Sequence, residues 1–317
     1  MMNTDLIPEV SICIPAYKER ELLERCLISI KNQTYKNFEV IISDDTPSDV
    51  IKNWIERTDF AFDVNYRKNE KSLGSPSNWN NAVKFARGKY IKIMHQDDWF
   101  ACNNSLGEFV AAMENNSETD FIFAIYRDYK DGELLPSPKG FREYLQNWIE
   151  DKSKVIEHNF IGDPSTSIFR NGLNIYFDER LKWCVDFDFY LSIYEKNKNI
   201  KFIDKHLINI GTHAGQITHK IGKDAAIVVY EHIVVLNKHK INSISLKHFD
   251  IYWRMFRNFN VRTLEKLKTL AKEESLPKLF QQIILAQNRI PESLLKSGII
   301  SKIGMFSCYV INKIKKI

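Results

Sequence analysis

Adjacent pairs of aspartates follow two short apolar runs in the first hundred residues, at Asp44-Asp45 and at Asp97-Asp98. Clustered carboxylates repel one another unless a cation or hydrogen-bond donors compensate their charge. Hard cations such as Mg²⁺ and Mn²⁺ prefer carboxylate and phosphate oxygens. The two pairs therefore indicate a binding site, provided that the fold brings them together.

A strand–helix alternation in the same region predicts that the fold does so. Four strands are predicted, at Val10–Ile14, Phe38–Ile42, Phe62–Tyr66 and Tyr90–Met94,. Repeated strand–helix–strand units indicate a parallel sheet with right-handed crossovers, and such sheets bind ligands at the carboxyl ends of their strands. The fold class is therefore α/β, and we expect the four aspartates to lie at one edge of the sheet.

The helix before the fourth strand is predicted from its end signals. Ser75-Pro76 is typical of a helix start, with serine at the N-cap and proline in the first helical position, and Gly88 is typical of a stop,. Further strands are predicted at 120–126, 167–170, 201–203 and 206–210, with a buried helix at 181–194. The polar loop Gly162–Thr166 is either an acceptor or donor-sugar contact or a plain turn.

No glycine-rich phosphate loop of either common type follows these strands,. A pyrophosphate bound at this edge therefore needs another source of neutralisation. A divalent cation held by Asp97 or Asp98 would supply it. Both pairs could instead be capping and turn residues, which is the structural alternative.

The charge of the chain is divided unevenly along its length. From residue 218 to the end there are 18 Lys and Arg against 7 Asp and Glu, a net charge of +11, whereas residues 1–217 have a net charge of −6. We therefore expect a catalytic domain at 1–217 and a basic, mainly helical region at 218–317. No stretch of 18 apolar residues suggests a membrane span, no motif indicates nucleic-acid binding, and the N-terminus lacks the pattern of a signal peptide.

The last 25 residues place apolar side chains at helical spacing among lysines. This pattern is typical of a helix that lies on an anionic membrane surface, although packing against the catalytic domain or a second copy is the alternative.

Two long blocks of this sequence resemble family 2 inverting glycosyltransferases, which have a GT-A fold. They are VSICIPAYKERELLERCLISIKNQTYKNFEVIISDD and LGSPSNWNNAVKFARGKYIKIMHQDDWF, and the resemblance extends over residues 9 to about 215. It implies that Pro15, Ala16 and Tyr17 pack around the nucleotide base, with Glu19 nearby. It also implies that Asp45 accepts a hydrogen bond from the base, as N3–H of uracil would offer.

The Asp-x-Asp element of the family corresponds to His95-Gln96-Asp97, so histidine replaces the first aspartate. The resemblance leaves Asp97 and Asp98 as the carboxylates that contact the metal, Mn²⁺ or Mg²⁺, and the ribose. His95 is either a spacer beneath the site or a direct participant.

The resemblance also assigns residues beyond the metal element. Asp186 corresponds to the catalytic base, and Asp188, two positions on, points to the other side of its helix. Residues 212–218 (THAGQIT) resemble a loop that closes over the donor, with His213 and Gln216 facing the pyrophosphate.

The expected activity is transfer of a sugar from a nucleotide diphosphate, UDP or dTDP, to a hydroxyl of a glycan or lipid-linked acceptor in polysaccharide biosynthesis. The expected location is the cytoplasm, with contact at the inner face of the membrane. Two alternatives remain: a sugar-phosphate nucleotidylyltransferase, which needs a glycine-rich triphosphate loop, and a non-catalytic module that binds sugar nucleotides or glycans.

Overall fold

The computed structural model describes residues 7–213, 221–241 and 245–314, which fall into two compact units. The first unit contains the described residues up to 152, together with 159–181 and 188–213. The second contains 153–158, 182–187 and the described residues after 220. The predicted boundary between residues 217 and 218 lies outside the described residues and stays a prediction.

The described part of the first unit forms one nine-stranded sheet. Its strands are β1 (Val10–Ala16), β2 (Phe38–Asp44), β3 (Val64–Lys68), β4 (Tyr90–Ile93), β5 (Trp99–Phe100), β6 (Phe121–Lys130), β7 (Glu133–Leu134), β8 (Ser167–Arg170) and β9 (Ile200–Gly211). The order is β3-β2-β1-β4-β8-β6-β9-β5, and β7 pairs with β6.

The half of the sheet around β1 is parallel. β1 pairs in parallel with β2 and β4, and β2 pairs in parallel with β3. Every residue of β1, β2 and β4 is buried, as expected for strands covered on both faces,. The carboxyl ends of these strands therefore meet at one edge, as predicted. On the other side β8 is antiparallel to both β4 and β6.

Helices connect and flank the strands of the first unit. They are α1 (Arg20–Lys31), α2 (Val50–Ile55), α3 (Ser77–Lys84), α4 (Ser105–Glu114) and α5 (Phe141–Glu150), with a 3₁₀ turn at Pro164–Thr166. On α1, Leu23, Cys26, Leu27 and Ile30 are buried at helical spacing and pack this helix onto the sheet,.

The limits predicted for α3 are wrong at both ends. Pro76 occupies the N-cap position, and Ser77 is the first helical residue. The helix ends at Lys84 rather than at Gly88. Gly88 lies against β1 instead, where a Cβ atom would come within 2.6 Å of the backbone nitrogen of Ser11. It is therefore a close-approach glycine and not a helix stop.

The two strands predicted at 201–203 and 206–210 form the single strand β9. The polar residues Asp204 and Lys205 between them do not end the strand. The pairing of β9 with β6 is irregular at this point, because the register shifts on both sides of Ile125 and leaves room for the additional residues of β9,.

The described part of the second unit is helical. Its helices are α6 (Lys154–Glu157), α8 (Ala225–Lys238), α9 (Leu246–Asn258), α10 (Leu264–Ala271), α11 (Lys278–Asn288), α12 (Glu292–Leu295) and α13 (Gly298–Ile314). The ring of Phe280 lies 4.8 Å from the rings of both Tyr252 and Phe256, and all three side chains are buried in the core. Helix α7 (Val185–Lys196) begins in the second unit and continues in the first.

Candidate functional site

The loop after β1 is held between the ends of β2 and β4. The side-chain amide of Gln96 pairs with the backbone of Tyr17: it accepts from the Tyr17 N–H at 2.7 Å and donates to the Tyr17 carbonyl at 2.9 Å. The backbone N–H of Lys18 donates to Oγ1 of Thr46 at 2.7 Å. Pro15 and Ala16 are buried, so the loop presents its side chains from a fixed backbone.

Two predicted contacts of the nucleotide base project from this loop. The side chains of Tyr17, 44% exposed, and Glu19 are both accessible. An accessible aromatic ring on a fixed backbone can stack on a nucleotide base.

The Asp45 carboxylate is enclosed by the segment that follows β3. It accepts hydrogen bonds from Nδ2 of Asn69 (2.9 Å), Oγ of Ser72 (2.9 Å) and the backbone N–H groups of Leu73 (2.8 Å) and Gly74 (2.6 Å). Both of its oxygens therefore organise the 69–74 loop in this structure. Its predicted hydrogen bond to a nucleotide base stays a prediction.

Its neighbour Asp44 is fully buried at the end of β2. Asp44 accepts hydrogen bonds from the Tyr66 hydroxyl at 2.6 Å and the Thr46 backbone N–H at 2.8 Å, with Nζ of Lys68 at 3.5 Å. Burial, and then the bond to Asp44, raises the pKa of the Tyr66 hydroxyl. Asp44 thus fixes β2 to β3.

His95, Asp97 and Asp98 form a cluster beyond the end of β4. Each can offer one ligand atom, and these atoms lie within 4.8 Å of one another. Nδ1 of His95 lies 3.9 Å from Oδ2 of Asp98, and the same nitrogen lies 3.7 Å from Oδ2 of Asp163. The cluster therefore brings His95 within 4 Å of Asp163, a carboxylate from a loop distant in sequence.

The carboxyl group of Asp98 fits a cation. It is 1% exposed, and Oδ1 accepts the backbone N–H of Gly211 at 3.0 Å, while Oδ2 is buried and accepts no hydrogen bond from the described residues. Burial, followed by the charges of Asp163 and Asp97, raises the pKa of Asp98. A divalent ion would remove both the repulsion and the missing contact, so these residues fit the predicted metal.

Arg25 of α1 contacts the backbone of the same cluster and the neighbouring Trp99 ring. Its Nη2 donates to the backbone carbonyl of Asp97 at 2.7 Å, and its guanidinium lies 3.8 Å from the centroid of the Trp99 ring. Gly211 passes so close that a Cβ atom there would lie 2.2 Å from the same carbonyl oxygen. The end of β9 therefore reaches this site only because it carries glycine.

His213 follows β9 and faces the cluster. Its Nε2 lies 3.3 Å from Oδ2 of Asp97, and the hydrogen bond to Asp97 is the main cause of a raised pKa of His213. The structure thus places His213 beside the predicted metal residues. Gln216, predicted to face the pyrophosphate with it, lies outside the described residues.

Asp186, predicted to be the base, belongs to the second unit and lies in the first turn of α7, where it is half-buried. Asp188 belongs to the first unit and is fully buried. The role of Asp186 stays a prediction.

Three residues of this site went unassigned by sequence reasoning. Arg25, Gln96 and Asp163 act through contacts with residues 72, 79 and about 70 positions away, respectively. The only local signal was the position of Asp163 in the polar loop 162–166. Side-chain contacts between residues so far apart in the chain leave no periodic pattern in the sequence.

Comparison with known proteins now assigns the family. The model of glycosyl transferase family 2 matches residues 11–176, more than half of the chain. The chain belongs to this family. Asp97, Asp98 and Asp163 lie inside the matched region, whereas Asp186 and His213 lie beyond it.

A curated relative extends this result. An uncharacterized glycosyltransferase of Methanocaldococcus jannaschii, MJ1057, is 30% identical over 209 residues, which are 63% of this chain and 70% of the relative. The chain spans only about a quarter of the length of two other curated relatives that it matches. This family member is a glycosyltransferase.

Solved structures show that the fold is GT-A. Residues 1–349 of S. aureus TarS in complex with UDP superpose with a TM-score of 0.58 and 18% identity, covering 95% of this chain and 89% of that fragment. The mannosyltransferase PcManGT of Pyrobaculum calidifontis, in complex with GDP-Man and Mn²⁺, gives a TM-score of 0.55 and 15% identity over 99% and 89% of the two chains.

Proposed function

We propose that this family 2 member is an inverting glycosyltransferase that moves a sugar from a UDP-sugar to a hydroxyl of a glycan or lipid-linked acceptor. The observation that carries the proposal is the cluster of His95, Asp97 and Asp98, which lies beside the accessible Tyr17 loop at the carboxyl edge of the sheet. Such an edge can bind the base on the loop and the diphosphate at the carboxylates.

Donor binding is assigned to the first unit. Tyr17 and Glu19 would flank the base, and Asp45 would meet it where the 69–74 loop closes around the carboxylate. His213, whose Nε2 lies 3.3 Å from Oδ2 of Asp97, would donate to the pyrophosphate,. UDP is proposed because a superposed neighbour holds it, and dTDP, which offers the same N3–H, is the second candidate.

Asp97 and Asp98, with His95, would hold a divalent cation. When bound, the cation supplies charge neutralisation to the departing diphosphate. Mn²⁺ is proposed before Mg²⁺ because a nitrogen ligand from His95 suits it better, and the superposed PcManGT also holds Mn²⁺,.

Asp186 would act as the general base. It removes the proton of the acceptor hydroxyl as the oxygen bonds to the anomeric carbon, while the bond from that carbon to the diphosphate oxygen breaks on the opposite side. The nucleoside diphosphate leaves with the electron pair of the broken bond. Because attack and departure take place on opposite sides of the anomeric carbon, its configuration inverts. A positioned base contributes about 10²–10⁴-fold.

Thermal unfolding tests the donor site. UDP, dTDP, GDP and CDP are each added to the purified chain with Mn²⁺ or with EDTA. A ligand present at 100 times its dissociation constant stabilises the fold by about 2.7 kcal/mol. We expect a shift with one pyrimidine diphosphate that EDTA abolishes, and the absence of any shift would contradict the proposal.

Product analysis separates the alternatives. Release of a nucleoside diphosphate from the sugar nucleotide identifies a transferase. Release of pyrophosphate from a nucleoside triphosphate and a sugar phosphate identifies a nucleotidylyltransferase. Nucleotide binding without either product identifies a binding module.

We also propose that α13 attaches the protein to an anionic membrane surface, at the inner face of the membrane. None of the helices within the described ranges combines the length and apolar character that crossing a bilayer requires. The outward side of α13 nevertheless carries Ile299, Ile303 and Phe306, which are 76%, 62% and 53% exposed. We call these three residues the α13 stripe.

The chemistry around the α13 stripe favours a membrane over a second protein chain. The exposed lysines Lys302 and Lys313 flank the stripe on one side at helical spacing, and the region from residue 218 on has a net charge of +11. The inward side of the helix buries Ser301 and Met305. A helix with an exposed apolar stripe beside lysines is suited to the boundary between acyl chains and anionic headgroups.

A further inference from the structure

Glu231 is a buried carboxylate of α8 that accepts three hydrogen bonds from one short piece of backbone. It is 1% exposed. Oε1 accepts the N–H of Lys182 at 2.8 Å, and Oε2 accepts the N–H groups of Trp183 and Cys184 at 2.7 and 2.8 Å. Three consecutive backbone donors thus converge on a side chain nearly fifty positions away, within the same unit.

The three donors lie directly before α7, which begins at Val185. The N–H of Cys184, the residue directly before the helix, has no partner inside the helix, and the helix dipole favours a negative charge at that end. Glu231 therefore satisfies the donors and fixes the direction in which the chain enters α7.

The arrangement is costly for an ionised side chain. Burial raises the pKa of Glu231 although the three N–H groups oppose that shift. A carboxyl group whose pKa is raised by folding contributes stability only at low pH, and this contribution is lost as the pH rises through the folded pKa. Once the pH exceeds the folded pKa, the charge of Glu231 therefore costs stability relative to the unfolded chain.

Asp186 is the second residue of α7 and follows Cys184 by two positions. We propose that Glu231 is a positioning residue that fixes the first turn of α7 and thereby the Asp186 carboxylate for the transfer step. The inference rests on the proposed role of Asp186. It gives the helical C-terminal region, which lies outside the family match, a function in the reaction.

The reason for a kinetic effect is geometric. A base must lie within hydrogen-bond reach of the proton that it removes, and a misplacement of about 1 Å can cost about 100-fold in rate. Loss of one of the three backbone contacts would loosen the start of α7 without altering any residue of the donor site in the first unit.

The test is the Glu231→Gln variant of the full chain. Glutamine keeps one acceptor oxygen but turns an NH₂ group toward the remaining backbone N–H, so the three bonds cannot all form. The matched control is Gln287→Leu, which removes another buried side-chain bond of the second unit, from Nε2 of Gln287 to the carbonyl of Trp253 at 2.7 Å.

We expect Glu231→Gln to lower kcat at least tenfold and to leave the donor KM within twofold of wild type. Hydrogen exchange at the amides of 182–184 should become faster in the same variant. Gln287→Leu should lower the melting temperature and keep kcat and the exchange of 182–184 at wild-type values.

Asp186→Asn is measured beside them to separate the two proposals. If Asp186→Asn is inactive while Glu231→Gln has wild-type kcat, Glu231 does not position the base and this inference fails alone. If Asp186→Asn keeps wild-type kcat, the base assignment fails and this inference fails with it. An equal loss of kcat in Glu231→Gln and Gln287→Leu would show a general effect of stability and would also overturn the inference.

Discussion

The carboxyl group of Asp98 lies away from water and next to the negative charges of Asp163 and Asp97. One of its oxygens has a backbone donor, Gly211, and the other has no hydrogen-bond partner among the described residues. A folded protein keeps such an arrangement only where something offsets it, because a buried carboxylate without compensation is costly. At the scale of single residues, this cost is the physical sign of a binding site.

Replacing Asp98 by asparagine tests whether the buried carboxylate destabilises the metal-free protein. The variant keeps an acceptor for the Gly211 N–H and removes the buried charge, so we expect the melting temperature without metal to rise. The Mn²⁺-dependent stabilisation by nucleotide should disappear, and kcat should fall about 100-fold or more, since a bound cation supplies several kcal/mol at the leaving group.

The matched control is Asp59→Asn, because Asp59 is an exposed aspartate of the same unit. It should keep the metal response. An Asp98→Asn variant with the wild-type response to Mn²⁺ and EDTA would show that the cation is held elsewhere.

The buried side chain of Lys92 should make the free energy of unfolding depend on pH. Its side chain is fully buried in β4, donates to the carbonyls of Ser165 and Ile93, and burial lowers its pKa from 10.5 to about 7. Between these two values the unfolded chain binds one more proton than the folded chain. The free energy of unfolding therefore rises with pH across this window, by up to about 1.4 kcal/mol per pH unit from this group.

We expect urea titrations between pH 7 and 8.5 to show this rise in wild type and a flatter profile in Lys92→Met. Unfolded cysteines, whose pKa is about 8.5, lose part of their protons in the same window in both proteins, so the result to be read is the difference between the wild-type and Lys92→Met profiles. Lys84→Met, at an exposed position of α3, is the control and should follow wild type. Parallel profiles for wild type and Lys92→Met would refute the assignment.

At the scale of elements, the site depends on how closely the end of β9 approaches the end of β4. Gly211→Ala should lower the free energy of unfolding by about 1–3 kcal/mol, because the new Cβ atom would lie 2.2 Å from the Asp97 carbonyl and 2.8 Å from Nη2 of Arg25,. The same displacement should weaken nucleotide binding in the presence of Mn²⁺.

Gly107→Ala provides the contrast. It lies in α4 with its nearest neighbour, Cβ of Tyr35, 3.8 Å from the added atom, so we expect it to stabilise the fold by about 0.5–1 kcal/mol,. Unchanged stability and nucleotide affinity in Gly211→Ala, measured by urea unfolding and calorimetry, would contradict the close approach.

The elements that were predictable from sequence are those with a local signal. The buried runs of β1, β2 and β4 and the pair at Asp97 and Asp98 follow from apolar runs and from the chemistry of the residues after them. The end of α3 was mistaken because Gly88 has the local signature of a helix stop but serves a contact with Ser11, which is distant in sequence. Gln96 and Glu231 could not be found for the same reason, since their partners are fixed only by the tertiary fold.

At the scale of the whole molecule, the chain combines a unit that carries the carboxylate cluster with a unit that is basic and helical. A lipid-linked acceptor is concentrated at a membrane surface, so a transferase that attaches there meets its acceptor in two dimensions. The α13 stripe and its flanking lysines supply the two contributions that such attachment needs, apolar burial and attraction to anionic headgroups,. Neither contribution requires a residue of the proposed donor site.

Vesicle sedimentation tests the attachment. We expect the full chain to bind vesicles that contain anionic lipid, to bind zwitterionic vesicles weakly, and to be released as NaCl is raised, because each lysine near the surface contributes about 1 kcal/mol that salt screens. Ile303→Glu combined with Phe306→Glu should reduce vesicle binding at least tenfold and leave transfer to a water-soluble acceptor unchanged. Leu285→Glu, at a 47% exposed position of α11, is the matched control and should bind like wild type. If the double variant binds vesicles normally and instead dissociates a dimer in analytical ultracentrifugation, the α13 stripe is an interface between two copies of the chain, and membrane attachment is refuted.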